Sequence, residues 1–545
     1  MKRDWKPKAG IFLGLAIAGV TLFANQLGLD NNPAWGAKRF ILFSFGILIL
    51  GISLLYREDN FLGRTLNTRN GQLYFLCGLL VSLIILAYVW CVSVGLWTTW
   101  PESTNYYDML ATSFSHGRLA LEVKPDPALL ALKDPYENIS REGIPVIWDA
   151  SLYQGKYYFY WGPTPALLLA LIKRFYTNQI GDNILTLVFF VGMLIFLSLL
   201  ILGLWKGYFP ETPRWAVLLS IPFVGLINPI PFALLDSQVY EAAIASGQFF
   251  FIGGLYWLFT TFNQPSIPRL TLASIFFALA VGSRNTLILP VGFLALIVLI
   301  WVIKAQRARA FTLILAFALP LFLGAVSYGW YNFARFGSVT EFGFRYQLNS
   351  FNIFDSVNQV FSITYVPPNL FKTLLNPFER RDSFPFIRAT RGFGPASFEK
   401  FLPEFYLYYA EGTTGILVGS PFVIFALLAG LRKKENLNWI LISLTGSTLL
   451  ILFTLQVFFY TAMRYLLDLI PALSLLAVIG FWNGLYRLQT RPAVRWAFAT
   501  LGTALCLYGF AISFLLTISS HLLRFRTYNL DLLQQLTSTF NNLFK

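Results

Sequence analysis

Long apolar stretches, interrupted at intervals by small groups of Lys, Arg, Asp and Glu, run the length of the chain. A helix that crosses the ~30 Å hydrocarbon core of a bilayer needs about 20 apolar residues. Runs of that order, free of charge, occupy Ala9–Leu29, Phe40–Tyr56, Asn70–Pro101, Asn183–Trp205, Trp215–Leu235 and Ala242–Pro268. They recur at Ala310–Ala334, Gly412–Leu431, Asn436–Met463, Leu469–Tyr486 and Trp496–Leu523. Between Arg269 and Lys304 the only charge is Arg284. A continuous helix there would be roughly 51 Å long at 1.5 Å per residue, too long for one crossing. The pattern therefore predicts two short spans meeting near Arg284. The expected fold class is an all-α polytopic membrane protein with about 13 transmembrane helices.

Composition narrows the possibilities further. Of 545 residues, 56% are hydrophobic and only 12% charged, about half the ~25% usual in soluble domains. The 41 Lys and Arg residues outweigh the 26 Asp and Glu residues, giving +15. That excess is too thinly spread to coat a nucleic-acid groove, so no nucleic-acid partner is expected. The three cysteines all lie in apolar runs and suggest no disulfide framework. With only His116 and His521 beside them, they make no zinc site either.

The distribution of charge sets the expected topology. With the N-terminus inside, the cytoplasmic segments hold Lys2, Arg3, Lys6, Lys8, Arg57, Arg64, Arg69, Lys206, Arg214, Arg269, Lys304, Arg307, Arg309, Arg432, Lys433, Lys434, Arg487, Arg491 and Arg495. Against these stand Asp4, Glu58, Asp59, Glu211 and Glu435, so nearly all of the net charge lies on one side. The parity closes only if the stretch around Arg284 crosses twice. The C-terminus is then extracytoplasmic, and a multi-pass protein of the plasma (cell inner) membrane is expected.

Two extracytoplasmic loops are large, 98–156 and 335–411, and both rejoin the membrane through aromatic clusters at Tyr157–Trp161 and Phe405–Tyr409. An aromatic belt at the interface accounts for many such rings. The segment Pro163–Phe175 is too short to span and reads as a helix lying along the outer surface. Ionisable groups at or near membrane depth are scarce, and each is a functional candidate. Glu102 and Asp108 open the first loop and Asp149 and Lys156 close it, while Asp236 and Glu241 cap adjacent spans. Arg284 marks the hairpin, Glu341 and Arg345 open the second loop, and Arg464 and Asp468 sit one helical turn apart. The i,i+4 spacing of the last two also fits a plain structural ion pair, and Arg284 also fits a helix end reaching for headgroups. Acids and Arg/Lys gathered on one face suit a reaction between a lipid phosphate and a hydroxyl. Arg or Lys carries the charge of the phosphate leaving group, and a carboxylate serves as general base.

The topology and the opening of the first loop resemble the C-type (GT-C) membrane glycosyltransferases, which include protein O-mannosyltransferases, aminoarabinose transferases of lipid A and glycosyltransferase-39-like bacterial proteins. Glu102, Tyr106, Ala111 and Gly117 fall approximately on the family frame, with Glu102 at the position of the catalytic Asp and Ser103 in place of the Glu that follows it. Similarity extends to Trp148–Tyr158, Gly282–Asn285, Arg335–Ser338, Glu341–Tyr346 and Arg464–Pro471. The resemblance covers 73–518 and leaves 1–72 as two added helices with a cytoplasmic loop and 519–545 as an extracytoplasmic tail.

The resemblance implies transfer of a sugar, with inversion, from a polyprenyl-phosphate donor to a glycan, lipid or protein acceptor at the outer face. An acid among Glu102, Asp108 and Asp149 would be the base. Tyr106, Lys156, Tyr157, Glu241, Arg284, Arg345 and Arg464 would bind substrate, the cations among them holding the donor phosphate. Some branches of the family use a divalent metal; no compact acidic cluster suited to a hard cation is visible, so no metal or other cofactor is expected. A polysaccharide polymerase or ligase, a transporter or flippase of lipid-linked glycans, and a relative that only binds are the competing readings. Ionisable residues at span ends rather than midplane, and the lack of matching halves, speak against a transporter.

Overall fold

The computed structural model describes residues 5–30, 35–55, 68–432 and 434–543. Lys2, Arg3, Asp4, Arg57, Glu58, Asp59, Arg64 and Lys433, which entered the charge asymmetry, lie outside the described residues, as do the side chains of Lys6, Lys8, Phe405, Tyr408 and Tyr409. The chain is an all-α polytopic membrane protein. Among the described residues nine helices are long and apolar enough to cross a bilayer: Lys38–Leu55, Arg69–Val92, Asp182–Tyr208, Val239–Asn263, Asn285–Ala305, Arg307–Phe336, Glu435–Val457, Met463–Arg487 and Pro492–Ser520. The remaining expected spans coincide with shorter apolar helices, Gly10–Leu22, Arg214–Leu226, Ile267–Val281 and Pro421–Leu431. The stretch around Arg284 does break in two, at Gly282–Leu287.

Two of the shorter segments have local causes. The run Trp215–Leu235 is divided at Ile227–Pro229 into helices Arg214–Leu226 and Ile230–Leu235. Pro229 lacks the N–H that would continue the ladder, and the helix restarts just past it with Pro231 in its first turn, where a missing N–H is tolerated. Residues Pro421–Leu431 wind as an unusually long 3-10 helix against Leu466–Arg487. The approach depends on Gly480: a Cβ there would lie 1.7 Å from the carbonyl oxygen of Phe425. Asn483 donates to the carbonyls of Leu428 and Ala429 (3.1 and 2.7 Å), in the last turn of the segment, where carbonyls run out of partners within a helix.

The chain divides into two compact units. The first joins Met1–Pro101 to Leu522–Lys545. Within it, Asn529 donates to the carbonyl of Val94 (2.9 Å), and Phe525 packs on Trp90. The second, Glu102–His521, holds the other helices, the first large loop from Glu102 onward and all of the second. Two short antiparallel strands in the first loop, β1 (Ser151–Tyr153) and β2 (Lys156–Tyr158), form a hairpin.

Candidate active site

The first loop is anchored before it reaches any cavity. Asp182, fully buried, accepts from the Thr104 hydroxyl (2.6 Å) and from the backbone N–H groups of Tyr106 and Tyr107 (3.0 and 3.3 Å). It thereby caps the helix Tyr106–Ser115 from another element, satisfying donors that have no partner within the helix. Asp108 is buried against the Lys173 ammonium (2.7 Å) and accepts from the N–H of Ile180 (3.0 Å). Lys173 belongs to the ten-residue helix Thr164–Lys173, which packs on Tyr106–Ser115. Tyr106 stacks on Phe159 (4.7 Å between centroids) and donates to the carbonyl of Trp148 (3.0 Å). Tyr157 is buried in the same cluster.

A close crossing brings the end of this loop to the Arg284 turn. Thr164 N–H donates to the Gly282 carbonyl (3.1 Å) and its hydroxyl to the Leu279 carbonyl (3.1 Å). Only glycine fits at 162, where a Cβ would stand 2.1 Å from the oxygen of Gly282. Trp161 and Arg284 consequently line the same space.

That space is an apolar cavity of about 280 Å³ walled by residues such as Val360, Phe361, Leu455 and Phe458, with Arg284 as its one charged lining residue among the described residues. A second cavity, of about 260 Å³, adjoins it: Tyr160, Phe344, Phe458 and Tyr465 line both. The second is polar, and Asp149, Glu411, Arg464, Gln347 and Asn349 face it. The two guanidinium groups lie against the ring of Tyr465, at 5.4 Å (Arg284) and 5.5 Å (Arg464) from its centroid.

Each arginine has its own carboxylate, and the pairing differs from the i,i+4 spacing weighed above. Asp468 is bound by Arg284 through Nε (3.1 Å) and Nη2 (3.0 Å), and also by Thr286 (3.2 Å) and Gln248 (3.4 Å). Arg464 instead reaches Glu411, its Nη1 2.9 Å from each oxygen. Neither guanidinium is used up. Arg284 Nη1 donates no hydrogen bond among the described residues, and Arg464 Nε is buried without a partner.

Asp149 follows the exposed Trp148 into the polar cavity with its backbone in the left-handed region (φ 58°), which Asp tolerates better than most residues. Its carboxylate accepts from the Tyr240 hydroxyl. Burial pushes the Asp149 carboxyl above the usual carboxylate range, against the opposing pull of Tyr240, Arg464 and Arg141. For Glu411 burial acts the same way, but Arg464, Tyr460 and Lys372 outweigh it and hold the group below its ordinary value. Asp149 is thus the better proton acceptor of the two near neutrality.

The structure brings together Asp149, Arg284 and Arg464, with Tyr106 one layer behind. Glu102 is exposed and lines neither cavity, and Asp108 is held by Lys173. Glu241 closes a capping box at the start of Val239–Asn263, accepting from the N–H of Gln238 (3.0 Å). Lys156 is exposed at the hairpin tip, in a separate groove with Arg118 and Lys124. Arg345 lies 3.5 Å from Glu341, half exposed. Sequence reasoning missed Glu411, Gln347 and Asn349. Glu411 carried a faint signal, as the last acid before an expected span; the two amides carried none. Among the described residues no three His, Cys, Asp or Glu side chains converge as a metal site would require.

No protein-family model matches the sequence, and no curated protein does. Among solved structures, the chain is similar to the archaeal oligosaccharyltransferase AglB from Archaeoglobus fulgidus, in complex with an inhibitory peptide and a dolichol-phosphate. The TM-score is 0.44 at 10% identity, over 82% of this chain and 56% of that one. The chain thus spans little more than half the length of that protein.

Proposed function

We propose that this chain is an integral-membrane glycosyltransferase that moves a sugar, with inversion, from a polyprenyl-phosphate donor to an acceptor hydroxyl at the outer face of the plasma membrane. The observation that carries the reading is the junction at Tyr465. There an apolar cavity ending in one arginine meets a polar cavity holding a second arginine and a buried carboxylate. A polyprenyl chain suits the first, its phosphate suits the free N–H groups of Arg284 and Arg464, and the sugar suits the second.

In this reading Asp149 takes the proton of the acceptor hydroxyl as its oxygen attacks the anomeric carbon. The bond from that carbon to the phosphate oxygen breaks on the opposite face, and polyprenyl phosphate leaves with the electron pair. The arginines stabilise the charge that develops there, an interaction stronger in the transition state than in the ground state. The orientation supported by the basic segments, N-terminus in the cytoplasm and C-terminus outside, puts the second loop and the cavities on the outer side. The acceptor is a glycan, lipid or protein hydroxyl.

The test is sugar transfer by the purified full chain from a radiolabelled polyprenyl-phosphate sugar to membrane extract. The expected result is label in the acceptor fraction with wild type and at least about 100-fold slower labelling with Asp149→Asn. Equal transfer by both proteins would end the assignment of Asp149, and no transfer with any donor would end the reading.

A further inference from the structure

The polar cavity contains two amides that the ion pairs leave untouched. Residues 347–349 run beside β1: Leu348 N–H donates to the carbonyl of Ala150, and Asp149 N–H to the carbonyl of Leu348 (both 3.0 Å). Gln347 is bridged to Ser151. In an extended segment alternate side chains share a face. Leu348 accordingly goes into the core, and Gln347 and Asn349 line the cavity with Asp149.

Most of their hydrogen-bonding capacity is spent internally. The Asn349 carbonyl oxygen Oδ1 accepts from the N–H of Phe351 (3.0 Å), and its Nδ2 donates to Gln347 Oε1 (3.3 Å). Arg141 fixes the backbone by donating to the Asn349 carbonyl (2.5 Å). Gln347 Nε2 is left over: the residue is 3% exposed, and this nitrogen has no partner among the described residues. Buried donors are almost always satisfied, so one held without a partner in a cavity marks a ligand contact. The Asn349 donor fixes which way the Gln347 amide is turned.

We propose that Gln347, held in place by Asn349, determines sugar specificity by donating to a hydroxyl oxygen of the transferred ring, and that this sugar carries no carboxylate. The inference rests on the donor reading above. The charge argument is local. Asp149 and Glu411 both face the cavity, and Arg464 already serves Glu411. A sugar carboxylate would meet two carboxylates, and the cavity's one arginine among the described residues is already paired. The flanking Phe351, Phe459 and Tyr460 give apolar surface for the C–H faces of a ring.

The test uses the purified full chain, with donor binding followed by quenching of tryptophan fluorescence. The probes are undecaprenyl phosphate, the same lipid carrying glucose, galactose or mannose, and the lipid carrying glucuronate. Wild type is expected to bind at least one neutral hexose derivative about tenfold more tightly than the bare lipid, and the glucuronate derivative no more tightly than the bare lipid. Gln347→Leu and Gln347→Glu are expected to lose that tenfold increment and to keep wild-type affinity for the bare lipid, which also reports an intact fold. The inference is overturned if either variant keeps the increment or if the glucuronate derivative binds best. Failure of wild type to bind the bare lipid overturns the donor reading and this inference with it, whereas bare-lipid binding with an unchanged increment in the variants overturns this inference alone.

Discussion

The cavity beside Arg284 and the cavity beside Arg464 differ little in volume but handle their carboxylates in opposite ways. On the apolar side Asp468 is fully buried and engaged by Arg284, Thr286 and Gln248, so its oxygens are occupied by the fold. On the polar side Glu411 is half-buried, and the buried Asp149 receives a hydrogen bond from Tyr240. The difference teaches where chemistry is affordable. A carboxylate saturated with donors steadies the helix ends around it, while one that faces a cavity with lone pairs to spare can take a proton. The two arginines against Tyr465 both offer N–H groups to a phosphate, but Arg284 in addition neutralises a fully buried carboxylate.

Replacing each arginine is the strongest way to break that contrast. Arg464→Ala removes an anion-binding group from the polar cavity and is expected to cut transfer by about 100- to 1000-fold with a small change in melting temperature. Arg284→Ala strands a fully buried carboxylate and is expected to cost about 3–5 kcal/mol of stability, read as a large drop in melting temperature. Equal losses of stability in the two variants would erase the distinction. A second comparison separates the acids. Asp149→Asn is expected to lower the transfer rate about 100- to 10,000-fold, the usual contribution of a general base. Glu102→Gln is expected to stay within about threefold of wild type, as substitutions of exposed residues usually do. Asp108→Asn leaves Lys173 buried without its partner and is expected to lower the melting temperature while activity per folded molecule is kept. Full rate in Asp149→Asn would refute the acid–base assignment.

The apolar cavity can be challenged by filling it. Thr454 is partly buried in its wall. Thr454→Trp is expected to raise KM for a long-chain donor about tenfold while leaving kcat within about twofold, the signature of lost uniform binding. A matching rise for a donor with a short, water-soluble chain would place the chain elsewhere.

Much of the fold was legible because the bilayer demands it: a span needs an apolar run, and a run too long for one crossing, as between Arg269 and Lys304, has to turn. The hairpin around Arg284 follows from length alone. The long 3-10 segment at Pro421–Leu431 does not, since it depends on Gly480 and Asn483, residues about 50 positions further along the chain. The site shows the same limit. Arg284, Arg464 and Asp149 stood out as charges where charge is costly. Their partners did not, because local spacing pairs Arg464 with Asp468, whereas the folded chain pairs it with Glu411 across 53 residues. Gln347 and Asn349 are ordinary loop amides in sequence, and their arrangement beside Asp149 exists only once that segment lies along β1.

The smallest expected effect is also the most diagnostic of Asp149. Transfer requires its carboxylate form, so kcat/KM falls as pH drops through its pKa. Burial raises that pKa, which puts the acid limb above the ~3.9 of an ordinary aspartate. The Tyr240 hydroxyl acts in the other direction, since its hydrogen bond favours the charged form. Tyr240→Phe keeps the ring and removes only that donor. The midpoint of the limb is therefore expected to move to higher pH, with activity on the high-pH plateau of the profile within about twofold of wild type. A pH–rate profile of the two proteins checks this. A limb that stays in place would mean that another group titrates in the reaction, and the lone pairs that set Asp149 apart from Asp468 would lose their claim to the chemistry.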